Sequence, residues 1–135
     1  MQKSNKLITT IICLGMVAYG YYFYINSTYQ GKFANREYLY TVTSDKTADD
    51  LKEESIELLQ KNIVVNEVYN DSGSNISYKY VDPSYNAKKK LITAGEDLKT
   101  HKTMNNITVI DMDHIKYNNK VFVYMGKVKE SQLKN

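Results

Sequence analysis

The segment Asp111-Met112-Asp113-His114 holds the densest group of side chains that can bind a metal or move a proton. Asp111 and Asp113 share one face of a predicted strand, because alternate residues of a strand point to the same side. A metal site needs three or four converging ligands, and the sequence names no further ligand beside these. His101, the other histidine, lies in a polar stretch typical of a surface loop. We therefore predict a solvated strand end here, with a small metal-dependent hydrolase as the alternative.

Motifs for catalysis and phosphate binding are missing from the sequence. It contains no glycine-rich phosphate loop, no nucleophile elbow, no HExxH metal motif and no pair of cysteines. Because Cys13 is the single cysteine, the chain forms no internal disulfide. The sequence thus predicts no catalytic residue, no metal ligand and no cofactor, in a protein that is not an enzyme.

Two other groups of side chains indicate binding rather than catalysis. Tyr38 and Tyr40 alternate on one predicted strand, and Tyr78 and Tyr80 alternate on another, so the four rings can form an aromatic binding face. Burial in the sheet is the competing interpretation, because tyrosines commonly pack in or beside a core. The lysine tract at residues 88–90 suits a solvated strand edge, or contact with an anionic lipid or wall polymer.

Residues 7–25 form an uncharged, mostly apolar stretch that decides where the protein resides. At about 1.5 Å per residue, a helix of this length nearly matches the roughly 30 Å of bilayer hydrocarbon. Its aromatic end suits the membrane interface, where rings stay apolar and hydroxyls reach water. The predicted anchor residues are Leu7, Ile8, Ile11, Ile12, Leu14, Val17, Tyr21, Tyr22, Phe23 and Tyr24.

Charges before this stretch predict its orientation. Lys3 and Lys6 precede it, so the positive-inside rule keeps the N terminus in the cytoplasm. The predicted localisation is the cell membrane, crossed once, with the C-terminal domain outside. Alternatively, residues 1–25 contain a signal peptide that is cut near Gly20, after a small-x-small site, and the domain is secreted. A buried helix of a soluble protein is the third interpretation.

The charge balance limits the class of partner. The chain carries 18 Lys and Arg against 15 Asp and Glu, and without Lys3 and Lys6 the count is 16 against 15. Nucleic-acid binding requires a concentrated basic surface, so no nucleic-acid partner is predicted. The expected partners are the membrane, through residues 7–25, and a secreted peptide or envelope protein.

Beyond the apolar stretch, residues 36–135 have the pattern of one small β-rich domain. Residues 26–35 are polar and without periodicity, which predicts a spacer. Residues 51–61 combine spaced leucines with acids just before them, which predicts a helix, and the charged tail 127–135 suggests a helical turn. Alternating residues predict a β-hairpin over 62–82 and further strands at 36–43, 88–94, 106–112 and 121–125.

These elements predict a mainly β (α+β) fold. An N-terminal hydrophobic helix precedes a small OB-like barrel or a rolled antiparallel sheet with one or two short helices.

Residues 78–99 read YKYVDPSYNAKKKLITAGEDLK and resemble the YxeA-like family of small exported Gram-positive proteins. The pattern is a strand with paired tyrosines, a turn with Tyr85, and a lysine-rich strand with Leu91 and Thr93. The resemblance implies a short OB-like domain behind a signal or anchor segment, and no catalytic residues. The chain departs from the pattern in the helix-like segment at 51–61 and in a tail without proline.

The features together predict a non-enzymatic, membrane-anchored or secreted extracytoplasmic protein of a Gram-positive-type bacterium. Its expected task is to bind a peptide or an envelope component. A structural subunit of a membrane complex is the alternative, in which residues 7–25 contact other helices.

Overall fold

An N-terminal helix and a curled β-sheet make up the structure. The computed structural model describes residues 2–41, 51–69 and 75–128, without the side chains of residues 2–5 and Lys52. Helix α1 spans Gln2–Ser27 and helix α2 spans Tyr29–Lys32. The nine strands in this part of the chain are β1 Arg36–Thr41, β2 Leu51–Leu58, β3 Asn62–Tyr69, β4 Asn75–Val81, β5 Ser84–Asn86, β6 Leu91–Thr93, β7 Ile107–Asp111, β8 His114–Tyr117 and β9 Lys120–Lys127.

The sheet is antiparallel and consists of two meanders. Its order is β4-β3-β2-β1-β9-β8-β7-β6-β5. Every paired set of strands is consecutive in the chain except β1 and β9, whereas the consecutive strands β4 and β5 form the two opposite edges. Curling brings β4 against the loop after β6: Tyr80 forms a bridge with Asp97, and the Gly95 N–H donates to the Val81 carbonyl at 2.6 Å. The result is a half-barrel. The predicted mainly β fold with a rolled antiparallel sheet is therefore confirmed.

The concave face of the half-barrel holds the core. Alternate residues of the strands point inward, as the period of two in the sequence predicts. Burial of these aromatic and branched side chains is the main stabilising contribution to the fold. The buried apolar residues from the strands are Tyr38, Ile56, Leu58, Ile63, Val65, Tyr80, Ile92, Ile107, Val109, Ile115, Tyr117 and Phe122.

Helix α2 closes one end of the half-barrel. Tyr29 and Phe33 are buried and belong to the same core. The Tyr29 hydroxyl donates to the Leu59 carbonyl at 2.6 Å, and the Phe33 ring lies 4.8 Å from the Tyr85 ring. Residues 26–35 therefore do not form the predicted spacer. Tyr29 and Phe33 are four positions apart and therefore share one side of a helical turn. Their polar neighbours obscure this spacing in the sequence.

Strand β2 replaces the helix predicted for residues 51–61. It pairs with β1 on one side and β3 on the other. These ladders and the burial of Ile56 and Leu58 outweigh a weak local preference for helix. Glu54 concealed the alternation, because this acid occupies an inward position where an apolar residue is expected. The predicted helix start at residues 47–50 lies outside the described residues.

The remaining predictions differ mainly at strand ends. The hairpin over 62–82 is confirmed as β3 and β4, and its turn, residues 70–74, lies outside the described residues. The strand at 88–94 is shortened to β6, because residues 87–90 form a turn in which Lys90 has a φ of 54°. Strand β8 was missed because it has only four residues. The tail after residue 128 lies outside the described residues.

Candidate membrane anchor and binding site

Helix α1 is long and apolar enough to span a membrane or to act as a signal. The candidate membrane-spanning segment Lys6–Ser27 has 22 residues, and its most apolar stretch is not buried. At 1.5 Å per residue it is about 33 Å long. All ten predicted anchor residues are exposed, for example Leu7 at 62% and Tyr24 at 47%. An exposed apolar surface of this size marks a membrane or protein contact.

A compact turn joins α1 to the domain. The Thr28 hydroxyl accepts the Gly31 N–H at 3.1 Å and donates to the Tyr24 carbonyl at 2.6 Å. A Cβ on Gly31 would lie 2.1 Å from that carbonyl oxygen, so α2 approaches α1 too closely for any side chain there. Tyr29, the first buried residue, follows Tyr24 by five positions. Helix α1 is thus tied directly to the core.

The four tyrosines predicted as a binding face do not form one. Tyr38 and Tyr80 are fully buried in the core, and the Tyr38 hydroxyl donates to the Met112 carbonyl at 2.8 Å. Tyr40 and Tyr78 are half-buried beside the core. The four residues do share the concave side of the sheet, but most of that side is filled by the protein's own packing. Burial, the competing interpretation, therefore holds for Tyr38 and Tyr80.

Tyr40 and Tyr78 lie with charged side chains at the end of the half-barrel opposite α2. Lys120 Nζ donates to Glu54 Oε2 at 2.5 Å and lies 5.7 Å from the centroid of the Tyr40 ring. Lys102 Nζ lies 4.1 Å from the centroid of the Tyr78 ring, a cation–π distance. We call the group of Tyr40, Glu54, Tyr78, Lys102 and Lys120 the far mouth.

Glu54 is the most deeply buried charge of the far mouth. It is 2% exposed, whereas the Lys120 side chain is 26% exposed. Burial raises the pKa of Glu54, and the hydrogen bond and positive charge of Lys120 oppose this rise. Repulsion from Glu67 also raises the Glu54 pKa, and Lys102 lowers it. With the neighbouring Glu67 counted, two acids face the two lysines Lys102 and Lys120, so the site suits a ligand with mixed polar and apolar groups rather than a polyanion.

Sequence reasoning missed Glu54, Lys102 and Lys120. Glu54 and Lys120 are 66 positions apart, and only the sheet order, which places β1 between β2 and β9, brings them together. The sequence contained one signal for this site, an acid at an inward position of a strand. A buried acid requires a partner that compensates its charge.

The segment 111–114 is a tight turn between β7 and β8. Asp111 Oδ1 accepts the Asp113 N–H at 2.8 Å and lies 2.8 Å from His114 Nδ1. The contact with His114, followed by the Asp113 N–H, lowers the pKa of Asp111. In the described ranges, no group of three or more His, Cys, Asp or Glu side chains is arranged to hold a metal. The turn's own hydrogen bonds account for this cluster.

Comparison of the chain with protein-family models, with curated proteins and with solved structures found no match. The resemblance of residues 78–99 to the YxeA-like family therefore stays a prediction. In the structure these residues form β4, β5, β6 and the start of the loop that fastens to β4.

Proposed function

We propose that the protein is a non-enzymatic binding protein, anchored by α1 in the cell membrane of a Gram-positive-type bacterium. The observation that carries this proposal is a helix of spanning length whose most apolar stretch is not buried and which leads through α2 directly into the core. Hydrocarbon is the favourable surrounding for such a helix, since its backbone groups are paired internally and its apolar side chains avoid water.

Orientation follows from the charges at the two ends of α1. Lys3 and Lys6 precede the apolar segment, which supports a cytoplasmic N terminus and an external β-domain. The turn between α1 and α2 favours the anchored form over a secreted one. Cleavage near Gly20 would leave Tyr21, Tyr22, Phe23 and Tyr24 exposed on a short helical stub in water.

The far mouth is the proposed binding site for a secreted peptide or an envelope component. Because α2 closes the end next to the anchor, the far mouth opens away from the membrane. Half-buried rings beside paired charges offer both apolar and polar contacts, which suits a peptide. This arrangement and the balanced charge of the domain argue against a nucleic-acid partner.

Retention of a partner by the full chain tests the proposal. The chain is immobilised in detergent and exposed to secreted peptides and envelope extracts, beside Tyr78→Ala, Lys102→Gln and the control Lys99→Gln. We expect a partner that is lost on changing Tyr78 or Lys102 and kept by the control, since Lys99 is exposed in the neighbouring loop. Equal retention by all variants would place binding elsewhere, and repeated failure to retain anything would contradict a binding function.

A structural subunit of a membrane complex is the second proposal, favoured by the exposure of the apolar stretch of α1. The subunit proposal and the binding-protein proposal can be distinguished by replacing residues 7–25 with an unrelated apolar helix of equal length. Loss of function on the exchange, with localisation unchanged, favours the subunit. Unchanged function favours the binding domain.

Membership of the YxeA-like family is part of the proposal. The half-barrel is compatible with the OB-like domain that the resemblance implies, and β2 removes the helix-like segment that departed from the pattern.

A further inference from the structure

The end of the half-barrel beside α2 carries a concentration of lysines. Neighbouring strands run antiparallel, so every second connection lies at the same end of the sheet. The start of β1, the turns β2–β3, β5–β6 and β7–β8, and the end of β9 therefore share one end. We call the lysines on these segments and on α2 the basic rim: Lys32, Lys61, Lys88, Lys89, Lys90 and Lys127.

Contacts around α2 support this placement. The Asn35 N–H donates to the Leu58 carbonyl at 2.5 Å, and the Val128 N–H donates to the Asn35 carbonyl at 2.9 Å. Lys32 Nζ lies 5.6 Å from the centroid of the Tyr85 ring on β5, just before the lysine turn at residues 87–90. The β2–β3 turn, the end of β9 and the lysine turn thus surround the point where α1 leaves the domain.

The rim lysines are available for an external partner. Ion pairs in the described part of the chain are His101–Glu96, His114–Asp111 and Lys120–Glu54, and none includes a rim lysine. All rim lysines except the half-buried Lys32 are exposed. Three of the six are consecutive, so the β5–β6 turn is the most basic part of this end. The acids at the same end are Glu37, Glu57, Asp82, Asp111 and Asp113, fewer than the six rim lysines and Arg36, and the lysine turn itself contains none.

The connection to α1 holds this end close to the bilayer. Tyr24, at the aromatic end of α1, and the buried Tyr29 lie on either side of the turn at Thr28, and α2 comes so close to α1 that a Cβ on Gly31 would lie 2.1 Å from the Tyr24 carbonyl oxygen. The headgroup region of one leaflet is roughly 5–8 Å thick. The rim therefore lies at headgroup depth when α1 spans the membrane, and lysine side chains are long enough to reach phosphates.

We infer that the basic rim docks on anionic lipid headgroups of the leaflet from which the β-domain emerges. The inference rests on the proposed insertion of α1. Lipid is the expected occupant because α1 places the rim at the bilayer surface, where opposite charge attracts it. Each lysine near an anionic surface contributes roughly a fivefold preference. Docking fixes the domain upright, with the far mouth directed outward.

Amine labelling of the full chain in lipid nanodiscs tests the inference. One set of discs contains phosphatidylcholine alone, and the other contains added phosphatidylglycerol. We expect Lys88, Lys89 and Lys90 to react roughly fivefold more slowly in the anionic discs. The difference should disappear in about 1 M salt, where the screening length falls to about 3 Å. Equal reaction in both discs, with α1 inserted, would overturn the docking and leave the anchor proposal intact.

A charge-matched pair of variants sharpens the test. Changing Lys88, Lys89 and Lys90 to Gln should restore fast labelling of Lys61 in anionic discs. The same change at Lys79, Lys99 and Lys116, exposed lysines outside the rim, should leave Lys61 protected. Protection caused by soluble poly(glycerol phosphate) but not by anionic lipid would assign the rim to a wall polymer and overturn the inference. A chain that fails to insert in either disc would contradict the anchor proposal and the docking together.

Discussion

Glu54 and Lys120 form an ion pair whose two halves differ in exposure. The carboxylate is enclosed by the sheet, whereas the ammonium group reaches the far mouth and partly contacts solvent. Enclosing a carboxylate is costly unless a cation and hydrogen bonds compensate, so Glu54 depends on Lys120. The pair also holds Lys120 beside Tyr40.

Removing Lys120 should destabilise the protein in a pH-dependent way. For Lys120→Met we expect a loss of about 3 kcal/mol in the free energy of unfolding at pH 7, because Glu54 is left buried without its cation. A carboxyl whose pKa is raised on folding contributes stability below its unfolded pKa of about 4.3, and this contribution disappears as the pH rises through the folded pKa. The deficit should therefore shrink toward pH 4.

Chemical denaturation of the full chain in detergent across this pH range measures the effect. Adding Glu54→Gln should recover most of the loss and remove its pH dependence. Lys116→Met, on the exposed side of β8, is the control and should change stability little. A Lys120→Met deficit that does not vary with pH would contradict a charged Glu54 as its cause.

At the scale of elements, the α1–α2 turn fixes how α1 joins the β-domain. Gly31→Ala should lower the free energy of unfolding by about 2 kcal/mol, because a Cβ would collide with the Tyr24 backbone. Faster hydrogen exchange of residues 28–34 is the direct readout. Gly15→Ala and Gly20→Ala are matched controls, since a Cβ at either position meets nothing within 4 Å. Equal effects at all three glycines would contradict a close α1–α2 approach.

The loop after β6 is fastened by one carboxylate. Asp97 Oδ2 accepts the Lys79 N–H at 2.8 Å, and Oδ1 accepts the N–H groups of Lys99 and Thr100 at 2.8 and 3.0 Å. These bonds, led by that from Lys79, lower the pKa of Asp97. They also cover part of the outer edge of β4, which would otherwise be open to pairing with another strand.

Asp97→Asn should lower the melting temperature at pH 7. The amide nitrogen of Asn cannot accept a hydrogen bond as the second carboxylate oxygen does, so at least one of the three N–H groups is left unpaired. A carboxyl with a lowered folded pKa stabilises above its unfolded pKa, about 3.9, and this stability is lost as the pH falls through the folded value. The difference from the unchanged chain should therefore narrow below pH 4. Glu96→Gln, an exposed neighbour with the same charge change, should have little effect. If the difference in melting temperature between Asp97→Asn and the unchanged chain persists below pH 4, hydrogen bonding by the Asp97 carboxylate is not its cause.

At the scale of the whole molecule, α1, the basic rim and the far mouth follow one another in that order. Protease treatment of intact protoplasts tests the predicted topology. We expect the β-domain to be digested, because Lys3 and Lys6 resist transfer across hydrocarbon and remain inside. Full protection until the cells are lysed would reverse the topology and remove the basis for the proposed partners. Recovery of the domain in the medium would indicate cleavage near Gly20.

The amino-acid sequence alone determined the features that depend on local pattern. An uncharged run of nineteen residues identifies α1, and alternation of side chains identifies β3, β4, β7 and β9, because periodicity of two reflects one buried face. Alternation puts Tyr38 with Tyr40, and Tyr78 with Tyr80, on shared strand faces, but the pattern could not distinguish an open binding face from one filled by the core.

Tertiary structure decided what depends on contacts between distant residues. Residues 51–58 become β2 because β1 and β3 flank them, against a local preference for helix. Tyr29 and Phe33 become core because α2 folds back under the half-barrel. Glu54 meets Lys120, and the lysine turn comes to the end beside α1, only through the order of nine strands. Strand pairing of this kind is stabilised by hydrogen bonds and packing across the whole folded sheet. It therefore cannot be predicted from any short stretch of sequence.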